Sequence, residues 1–498
     1  MEEIRILKTN FLTFFFFLIF FFSTTTFSKP LQHQTLLVVP LPNPPTLKNP
    51  DDLSWSESQA DTQTSESLDL SNTLSLPLQH IDALSINETS ESLFNLRLQR
   101  DELRVKTLSS LTTTTIAGGG GHHRNRNNNA TRVNAKDFSS SIVSGLPQGS
   151  GEYFTRLGVG TPPKYSYMVL DTGSDIVWLQ CAPCRKCYSQ TDPIFDPTKS
   201  QSYSGVPCGS PLCRKLDVSG CNTQRKSCLY QVNYGDGSFT VGEYATETLT
   251  FRGTKVGNVG FGCGHDNEGL FVGAAGLLGL GRGGLSFPTQ TGRRFGNKFS
   301  YCLVDRSSIS SKASAIVFGE SSIPRSAVFT PMVTNPKLNT FYYLDLVGVS
   351  VGGTRVPGIS STLFRLDSSG NGGVIIDSGT SVTRLTRPAY EALRDAFRSG
   401  AAELKRAPGY SLFDTCFDLA GKTEVKVPTV VMHFGRGADV SLPASNYLIP
   451  INSNGVFCFA FAGTTSGLSI IGNIQQQGFR IVFDNAGSRI GFAPRGCA

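Results

Sequence analysis

An all-β fold of two similar lobes, with a cleft between them, is predicted by three features of this sequence. Short apolar runs separated by glycine follow one another from about residue 149 onward. Helical spacing is scarce in the same region. A six-residue motif, VLDTGS, occurs at Val169–Ser174 and returns in similar form, IIDSGT, at Ile375–Thr380. Many short strands with regular turns are typical of all-β proteins, and the repeat indicates that one lobe resembles the other.

Length and composition predict two or three packed units. The chain has 498 residues, of which 39% are hydrophobic and 17% are charged, and this balance is typical of well-filled cores rather than of disorder. Composition gives a predicted signal peptide at 1–28 and a prosegment at 29–145. The motif repeat divides the rest into an N-terminal lobe at 146–333, which contains a cysteine-rich insert at 181–228, and a C-terminal lobe at 334–498.

The first residues predict entry into the secretory pathway. Arg5 and Lys8 precede an apolar run of 12 residues, Phe11–Phe22, which only Thr13 interrupts. This run is too short to span a bilayer comfortably and fits the hydrophobic part of a signal peptide. A plastid transit peptide and an uncleaved membrane anchor remain as alternatives. We expect the extracellular space (apoplast), with the vacuole or the endoplasmic reticulum as other destinations, and no stable membrane anchor.

The charge distribution does not favour a nucleic-acid partner. The formal net charge is +7, with 33 Lys and Arg against 24 Asp and Glu in residues 139–498 and 10 against 12 in residues 29–138. The basic residues are scattered singly, whereas nucleic-acid-binding surfaces cluster them. We therefore predict that the protein binds no nucleic acid.

The cysteines predict disulfide bonds. All 12 lie between Cys181 and Cys497, and an even number in a secreted protein favours disulfides. Zinc is the alternative, because Cys181, Cys184 and Cys187 are separated by two residues each. A second pair with the spacing of a metal site is missing, so we predict no metal.

Residues 29–145 are interpreted as a prosegment with one or two docking elements and a cleavable end. They include runs rich in proline, serine, threonine and glycine. Leu93–Leu108 has helical spacing, with four apolar side chains near one face: Phe94, Leu98, Val105 and Leu108. Both glycosylation sequons found in the chain lie in this segment, at Asn87 and Asn129.

The later region contains nine predicted strand segments and one clear helix. The strand segments are rich in β-branched and aromatic residues and are bounded by turn residues: Glu152–Val159, Ser166–Leu170, Ile176–Leu179, Leu229–Tyr234, Phe239–Phe251, Ser300–Val304, Phe341–Val351, Val374–Ile376 and Val456–Phe461. A helix is predicted at Pro388–Arg398, because proline near the start of a helical run favours initiation.

The two motif copies have matching surroundings. Each aspartate ends an apolar run, and each is followed by an apolar-apolar-glycine element, at Ala275–Gly279 and at Ser469–Gly472. A single Asp-Thr-Gly or Asp-Ser-Gly is most simply a turn, but two copies in the same order indicate one divided site. Two carboxylates held face to face share a proton, because both cannot ionise cheaply, and such a pair can activate water.

Further motifs resemble those of the pepsin-like aspartic proteases, and within them the plant group that lacks the saposin-like insert. The runs that carry this resemblance are Asn233–Gly242, Gly262–Phe271 and Gln475–Gly478, in addition to the two aspartate motifs. The resemblance covers roughly residues 145–498. It implies the bilobal fold of pepsin, endopeptidase activity on polypeptides, a monomeric enzyme without a cofactor, and inhibition by its own prosegment.

The family's site residues match this chain position by position. Asp171 and Asp377 match the catalytic aspartates. The supporting residues of the two motifs match groups that fix the carboxylates: Thr172 and Ser378 brace the loops, Ser174 and Thr380 bond the outer carboxylate oxygens, and Gly173 and Gly379 let the loops approach. Tyr234 and Gly235 match the flap that closes over substrate, and Trp178 matches the side chain that supports this tyrosine.

The resemblance also implies a disulfide pattern, which spacing alone cannot establish. The implied pairs are Cys181–Cys184, Cys187–Cys263, Cys208–Cys228, Cys213–Cys221, Cys302–Cys497 and Cys416–Cys458.

Charged residues outside the motifs suggest two departures from the pepsin pattern. Asp175 and Asp236 are expected to add carboxylates near the cleft. Residues 97–136 carry eight basic side chains against two acidic ones, Asp101 and Glu102. We expect a cation from this stretch to pair with the two catalytic aspartates at neutral pH and to be released by acid.

A serine protease of the subtilisin type is the first rival interpretation. Asp171, His265 and Ser381 occur in the right order for its triad. The residues around His265 and Ser381 do not match the family's histidine and serine motifs, and alternating parallel strands and helices are missing.

A binding protein without catalysis is the second rival. Related plant proteins use this fold to inhibit microbial glycosidases, and they generally lose one or both catalytic motifs. Here both motifs and the flap tyrosine are intact, which favours the protease.

Overall fold

The computed structural model of this protein describes residues 31–41, 73–80, 88–113, 133–134, 153–234, 238–251, 254–269, 271, 273–304 and 314–497. The predicted signal peptide, the two glycosylation sites Asn87 and Asn129, and the flap residues Gly235 and Asp236 lie outside the described residues.

Strands contain more of the described residues than helices do. Those of the first part of the chain are β1 His33–Leu37, β2 Leu74–His80, β3 Val133–Asn134, β4 Tyr153–Val159, β5 Lys164–Asp171, β6 Trp178–Gln180, β7 Ser204–Gly205, β8 Ser219–Asn222, β9 Ser227–Asn233, β10 Phe239–Phe251, β11 Thr254–Glu268, β12 Gly276–Gly279, β13 Lys298–Cys302, β14 Ser314–Phe318 and β15 Val328–Val333.

The second part of the chain continues in the same way. Its strands are β16 Tyr342–Leu344, β17 Leu346–Val351, β18 Thr354–Arg355, β19 Val374–Ile376, β20 Thr383–Thr386, β21 Arg406–Ala407, β22 Cys416–Asp418, β23 Glu424–Pro428, β24 Val430–Phe434, β25 Ala438–Leu442, β26 Leu448–Pro450, β27 Val456–Phe459, β28 Phe461–Thr464, β29 Ser469–Ile471, β30 Arg480–Asp484 and β31 Arg489–Ala493.

Helices are fewer. The α-helices are α1 Ser90–Thr113, α2 Phe287–Gln290, α3 Gly292–Phe295, α4 Arg387–Gly400 and α5 Asn473–Gln476. Short 3₁₀ helices cover Pro197–Lys199, Cys213–Lys215, Glu320–Ser322, Ser361–Phe364, Gly435–Gly437 and Ala444–Asn446.

The same strand arrangement occurs in both lobes. In the first lobe β5 runs parallel to β12, β12 antiparallel to β6, and β6 parallel to β11. In the second lobe β19 runs parallel to β29, β29 antiparallel to β20, and β20 parallel to β28. Strands β5 and β19 carry the aspartate motifs, and β12 and β29 are the predicted apolar-glycine elements. The all-β, two-lobed fold is confirmed.

One antiparallel sheet contains strands from both ends of the chain, in the order β2, β14, β13, β30, β31 and β15. In β2, Leu74, Leu76 and Leu78 are all buried, because alternate side chains of a strand point to one face. At the centre of the sheet, the rings of Phe299 and Phe483 stack with centroids 4.5 Å apart. Strand β2, which belongs to the predicted prosegment, is therefore part of this sheet in the full chain.

Two predicted strands are each divided in the structure. The predicted strand Phe341–Val351 becomes β16, which pairs with β19, and β17, which pairs with β24. The predicted strand Val456–Phe461 becomes β27, which pairs with β22, and β28, which pairs with β20. In both cases the chain passes from one sheet to another, and a run of apolar residues does not show where that happens.

The predicted helix within residues 93–108 is confirmed as α1, and it is longer than predicted. Thr89 caps its start, since the Thr89 Oγ1 accepts a hydrogen bond from the Ser92 N–H at 3.1 Å. Phe94, Leu98 and Leu108 are buried against the second lobe, and burial of each such side chain contributes about 1.5–3 kcal/mol. Helix α4 likewise confirms the predicted helix at 388–398.

The structure corrects four of the six disulfide pairs that the family resemblance implies. Cys302–Cys497 and Cys416–Cys458 are confirmed. The other pairs are Cys181–Cys263, Cys184–Cys187, Cys208–Cys221 and Cys213–Cys228, in place of Cys181–Cys184, Cys187–Cys263, Cys208–Cys228 and Cys213–Cys221. Cys181 pairs with Cys263 because β6 lies parallel to β11 and places their Cα atoms 5.3 Å apart.

Peptide mapping checks this pairing. We expect a non-reducing digest of the full chain, made in acid to prevent exchange, to contain Cys181 linked to Cys263 and Cys208 linked to Cys221, as the structure has them. The Cys302–Cys497 peptide is the internal control, because both patterns contain it. Recovery of Cys187 linked to Cys263 would show that the structure's pairing is wrong.

Candidate active site

Asp171 and Asp377 occupy equivalent positions in the two lobes. Asp171 is the last residue of β5, and its carbonyl accepts a hydrogen bond from the Leu280 N–H at 2.8 Å. Asp377 directly follows β19, and its N–H donates to the Ile471 carbonyl at 3.1 Å. Both side chains are fully buried. The parallel partner strands β12 and β29 therefore fix both aspartates at the edge where the lobes meet.

Hydroxyl groups interlock the two motif loops. The Ser378 N–H donates to Thr172 Oγ1 at 2.9 Å, and the Thr172 N–H donates to Ser378 Oγ at 3.3 Å. Thr172 Oγ1 also lies 3.3 Å from Asp377 Oδ1, to which it donates. Each loop thus holds the other, as the resemblance implies for Thr172 and Ser378.

The outer carboxylate oxygens are bonded unequally. Thr380 Oγ1 donates to Asp377 Oδ2 at 2.7 Å, as expected. The equivalent bond from Ser174 to Asp171 is not formed, and the buried Ser174 Oγ has no hydrogen-bond partner within the described part of the chain. The Arg104 Nη1 donates to Asp171 Oδ2 at 3.0 Å. This guanidinium N–H therefore replaces the Ser174 hydroxyl as the donor to the outer oxygen of Asp171.

Glycine is required in both motifs for space. The Gly173 N–H donates to Asp171 Oδ1 at 2.9 Å, and a Cβ built at Gly173 would lie 3.0 Å from Asp377 Oδ1. A Cβ at Gly379 would lie 3.0 Å from the Arg104 Cζ. A larger residue at either position would push the carboxylates or the guanidinium away.

Arg104, on α1, binds all four carboxylate oxygens of the two aspartates. Its Nε donates to Asp377 Oδ2 at 3.1 Å, and its Nη1 donates to Asp171 Oδ2 at 3.0 Å. The Nη2 donates to Oδ1 of both Asp171 and Asp377. The fork of a guanidinium suits such bidentate contacts, and each is strengthened by charge. The cation expected from residues 97–136 is therefore Arg104.

The charge of Arg104 is insensitive to pH in the working range. Burial by itself lowers the pKa of Arg104, but the charges of Asp171 and Asp377 and the hydrogen bonds to them raise it above its usual value. A raised pKa gives stability that is present below the unfolded value and is lost only as pH rises through the folded value. That loss falls in strong alkali, so Arg104 keeps its positive charge in acid.

Two more charged residues of α1 reach the second lobe. Asp101 Oδ1 accepts hydrogen bonds from the N–H groups of Ser381 and Val382, and Asp101 Oδ2 lies 2.6 Å from the Arg384 Nη2. Arg97 donates to Ser381 Oγ at 3.1 Å and to Asn473 Oδ1 at 2.7 Å. Helix α1 thus lies along the residues that follow Asp377.

Sequence reasoning missed these contacts, although a signal was present. Arg97, Asp101 and Arg104 are spaced by four and three residues, which places them on one helical face. That face also carries Leu98 and Leu108. Charged residues within an apolar stripe indicate buried polar partners, because an isolated buried charge is costly.

The predicted flap is a hairpin of β9 and β10. The Tyr234 N–H donates to the Ser238 carbonyl at 2.8 Å across the turn. The indole N–H of the buried Trp178 donates to the Tyr234 hydroxyl at 2.8 Å. This is the supporting contact that the resemblance implies for Trp178.

Asp175 is half-buried and joins the two lobes. Its Oδ2 accepts a hydrogen bond from Thr340 Oγ1 at 2.7 Å, and its Oδ1 accepts one from the Gly283 N–H at 2.8 Å. Burial raises the pKa of Asp175, these hydrogen bonds oppose the rise, and the charges of Asp217 and Asp171 add to it.

The raised pKa of Asp175 predicts a pH-dependent effect of Asp175→Asn. The neutral acid stabilises the fold below the unfolded pKa, and this contribution is lost as pH rises through the folded value. We therefore expect the difference in Tm, variant minus parent, to become more positive as pH rises from about 3 to about 7. Thermal unfolding measures this difference, with Glu403→Gln, which alters an exposed carboxylate away from Asp175, as control. A difference that is constant with pH would contradict the assignment.

The subtilisin-type triad is not assembled. His265 Nδ1 lies 3.1 Å from the Pro183 carbonyl, in the cysteine-rich insert, and it forms no hydrogen bond with Asp171 or Ser381. In the described part of the chain, no group of three or more His, Cys, Asp and Glu side chains is placed to hold a metal ion. No helix among the described residues has the length and hydropathy needed to cross a bilayer.

Sequence comparisons match this chain to two family profiles and to plant proteins that are named as proteases. Family profiles described as "Xylanase inhibitor N-terminal" and "Xylanase inhibitor C-terminal" match residues 153–320 and 341–494. The chain is 66% identical to Aspartyl protease family protein 2 of Arabidopsis thaliana, over 91% of each protein. It is 52% identical to Protein ASPARTIC PROTEASE IN GUARD CELL 2 of Arabidopsis thaliana, over 74% of this chain and 77% of the relative. Aspartic proteinase nepenthesin-1 of Nepenthes gracilis is 42% identical, over 72% and 81%.

Solved structures agree on the fold. The crystal structure of edgp has a TM-score of 0.57 at 22% identity and covers 69% of this chain and 91% of its own. That of basic 7S globulin from soybean has a TM-score of 0.55 at 21% identity and covers 71% and 95%. At these identities the likeness concerns the fold alone.

Proposed function

Since this chain belongs to the plant group of pepsin-like aspartic proteases, we propose that it cleaves polypeptides with one water molecule held between Asp171 and Asp377. The observation that carries this proposal is that one atom, Arg104 Nη2, is hydrogen-bonded to an oxygen of each aspartate. The two carboxylates therefore face the same point. Without the guanidinium, that point suits a water molecule.

The chemistry follows from two carboxylates that share one proton. The ionised carboxylate takes a proton from the water as it attacks the scissile carbonyl. The protonated carboxylate donates to the carbonyl oxygen, and a proton later passes to the leaving amine. The bonds from Thr172, Gly173 and Thr380 hold the carboxylates in place for this exchange.

The N-terminal segment is proposed to be the inhibitory prosegment of this enzyme. Arg104 fills the place of the water, and α1 buries Phe94, Leu98 and Leu108 against the second lobe. Substrate and α1 cannot occupy the same site. Acid would protonate carboxylates that hold α1, and the segment would then be cleaved off. The predicted signal peptide would direct this precursor into the secretory pathway.

The family profiles carry the name of an inhibitor, but nothing in the site favours binding without catalysis. Both motif loops are complete and hydrogen-bonded to each other. The relatives named above, of which one is 66% identical, are named as proteases.

Acid activation of the purified full chain tests the proposal. We expect a stable precursor at neutral pH, and in acid a shorter product that cleaves peptides and is blocked by pepstatin. N-terminal sequencing of the product would fix the maturation site. A folded precursor that neither shortens nor cleaves any peptide in acid would overturn the proposal and favour the binding protein.

A further inference from the structure

The contact of Asp101 with the second lobe is a built carboxylate site. Three donors converge on this one side chain: the N–H groups of Ser381 and Val382 and the guanidinium of Arg384. Asp101 is 1% exposed and Arg384 is 5% exposed. Hydrogen bonds between charged groups in such a dry place are strong and directional.

Arg384 is aimed at this place by its strand. In β20, Thr383 turns to the interior, where its Oγ1 accepts a hydrogen bond from the Gly472 N–H at 3.0 Å. Alternation along the strand turns the next side chain, Arg384, to the opposite face, where α1 lies. The buried Arg384 Nη1 has no hydrogen-bond partner among the described residues. Asp101 therefore does not satisfy all of the hydrogen-bond donors that Arg384 brings to this site.

The site is next to the catalytic aspartates. Ser381 directly follows Thr380, which is bonded to Asp377. On α1, Asp101 and Arg104 are one helical turn apart, a rise of about 4.5 Å. A peptide whose carbonyl reached the position of Arg104 could therefore place another side chain at Arg384.

We infer that Arg384, with the N–H groups of Ser381 and Val382, forms a subsite that takes an Asp or Glu side chain of the substrate. The inference rests on the proposed function, because the subsite opens only when α1 leaves. In the precursor, Asp101 occupies the subsite as an internal substitute for that side chain. After its departure the Arg384 charge has no ion-pair partner left among the described residues, and an anionic partner is favoured over a neutral one.

Matched peptides test the subsite. The acid-matured enzyme is given neutral reference peptides in which each position near the scissile bond carries Asp or Asn, and in a second set Glu or Gln. The assay is run near pH 5, above the usual carboxyl pKa of about 4, so that the acids are ionised. At one position we expect kcat/KM to be about tenfold higher for the acid than for its amide, as for one hydrogen bond to a charged group.

Variants assign the preference to Arg384. In Arg384→Gln the acid-to-amide ratio is expected to fall to about one, and in Arg384→Glu a basic side chain at that position should be favoured instead. Arg387→Gln, which alters an exposed arginine on α4, should keep the ratio of the parent. Arg384→Lys keeps the charge and should retain part of the preference.

The outcomes separate this inference from the proposed function. A parent enzyme that cleaves neutral peptides but favours no acid at any position would overturn the subsite alone, even if no variant folds. A ratio unchanged in Arg384→Gln would also overturn it. A parent that cleaves no peptide would overturn the proposed function itself.

Discussion

Replacing Asp377 with asparagine is expected to lower kcat/KM for peptide cleavage by at least about 1000-fold, the scale of losing a general acid and base. The same loss is expected for Asp171→Asn, because both carboxylates are needed to hold one proton and one water. Self-processing of the precursor in acid should stop in both variants. Rates on a fluorogenic peptide and the mass of the acid-treated chain measure the two effects.

Asp439→Asn is the matched control for these variants. Asp439 lies in the same lobe as Asp377 but is exposed and paired with His433. It should keep the activity of the parent. An Asp377→Asn variant that folds, as judged by its Tm, and still cleaves peptides at the parental rate would contradict the assignment of the site.

Replacing Arg104 with glutamine is expected to loosen α1 without acid. The change removes a buried cation and leaves two carboxylates against α1 without a counter-charge, and breaking a buried ion pair costs about 3–5 kcal/mol. Amide hydrogen exchange of residues 90–113 at neutral pH should become faster by two orders of magnitude or more, roughly as that free energy requires. Acid maturation should also begin at higher pH than in the parent.

Lys106→Gln controls for the loss of a positive charge on α1. Lys106 is 65% exposed and forms only a surface pair with Glu102, which contributes little. Its exchange and its maturation profile should match those of the parent. If Arg104→Gln also matched the parent in both measurements, Arg104 would not be what holds α1 in place.

The spacing of apolar residues predicts those strands and helices whose position depends mainly on neighbouring residues in the chain. Strand β10 at Phe239–Phe251 and strand β19 at Val374–Ile376 have the bounds predicted from their β-type runs. Helix α1 is predicted by the spacing of its apolar residues, because that stripe must be buried wherever the helix packs. The division into β16 and β17 is not predicted, since it depends on which sheet each half joins.

The repeat of the aspartate motif indicates one divided site from the chain alone, because each copy has the same surroundings in the sequence. Which cation meets the two carboxylates cannot be chosen from eight candidates in this way, since that depends on how α1 docks. The same is true of the disulfides: Cys181 and Cys263 are 82 residues apart, and only the parallel pairing of β6 and β11 makes them neighbours.

The sequence by itself determined the all-β fold, the two aspartates and the helix that precedes them along the chain. Periodicity, turn residues and a repeated motif are local properties, and they are visible along the chain. Tertiary structure alone decided that Arg104 binds all four carboxylate oxygens, that Asp101 fills the place at Arg384, and that Ser174 does not form its predicted bond. Each of these depends on distances between residues far apart in sequence, which only the packed chain defines.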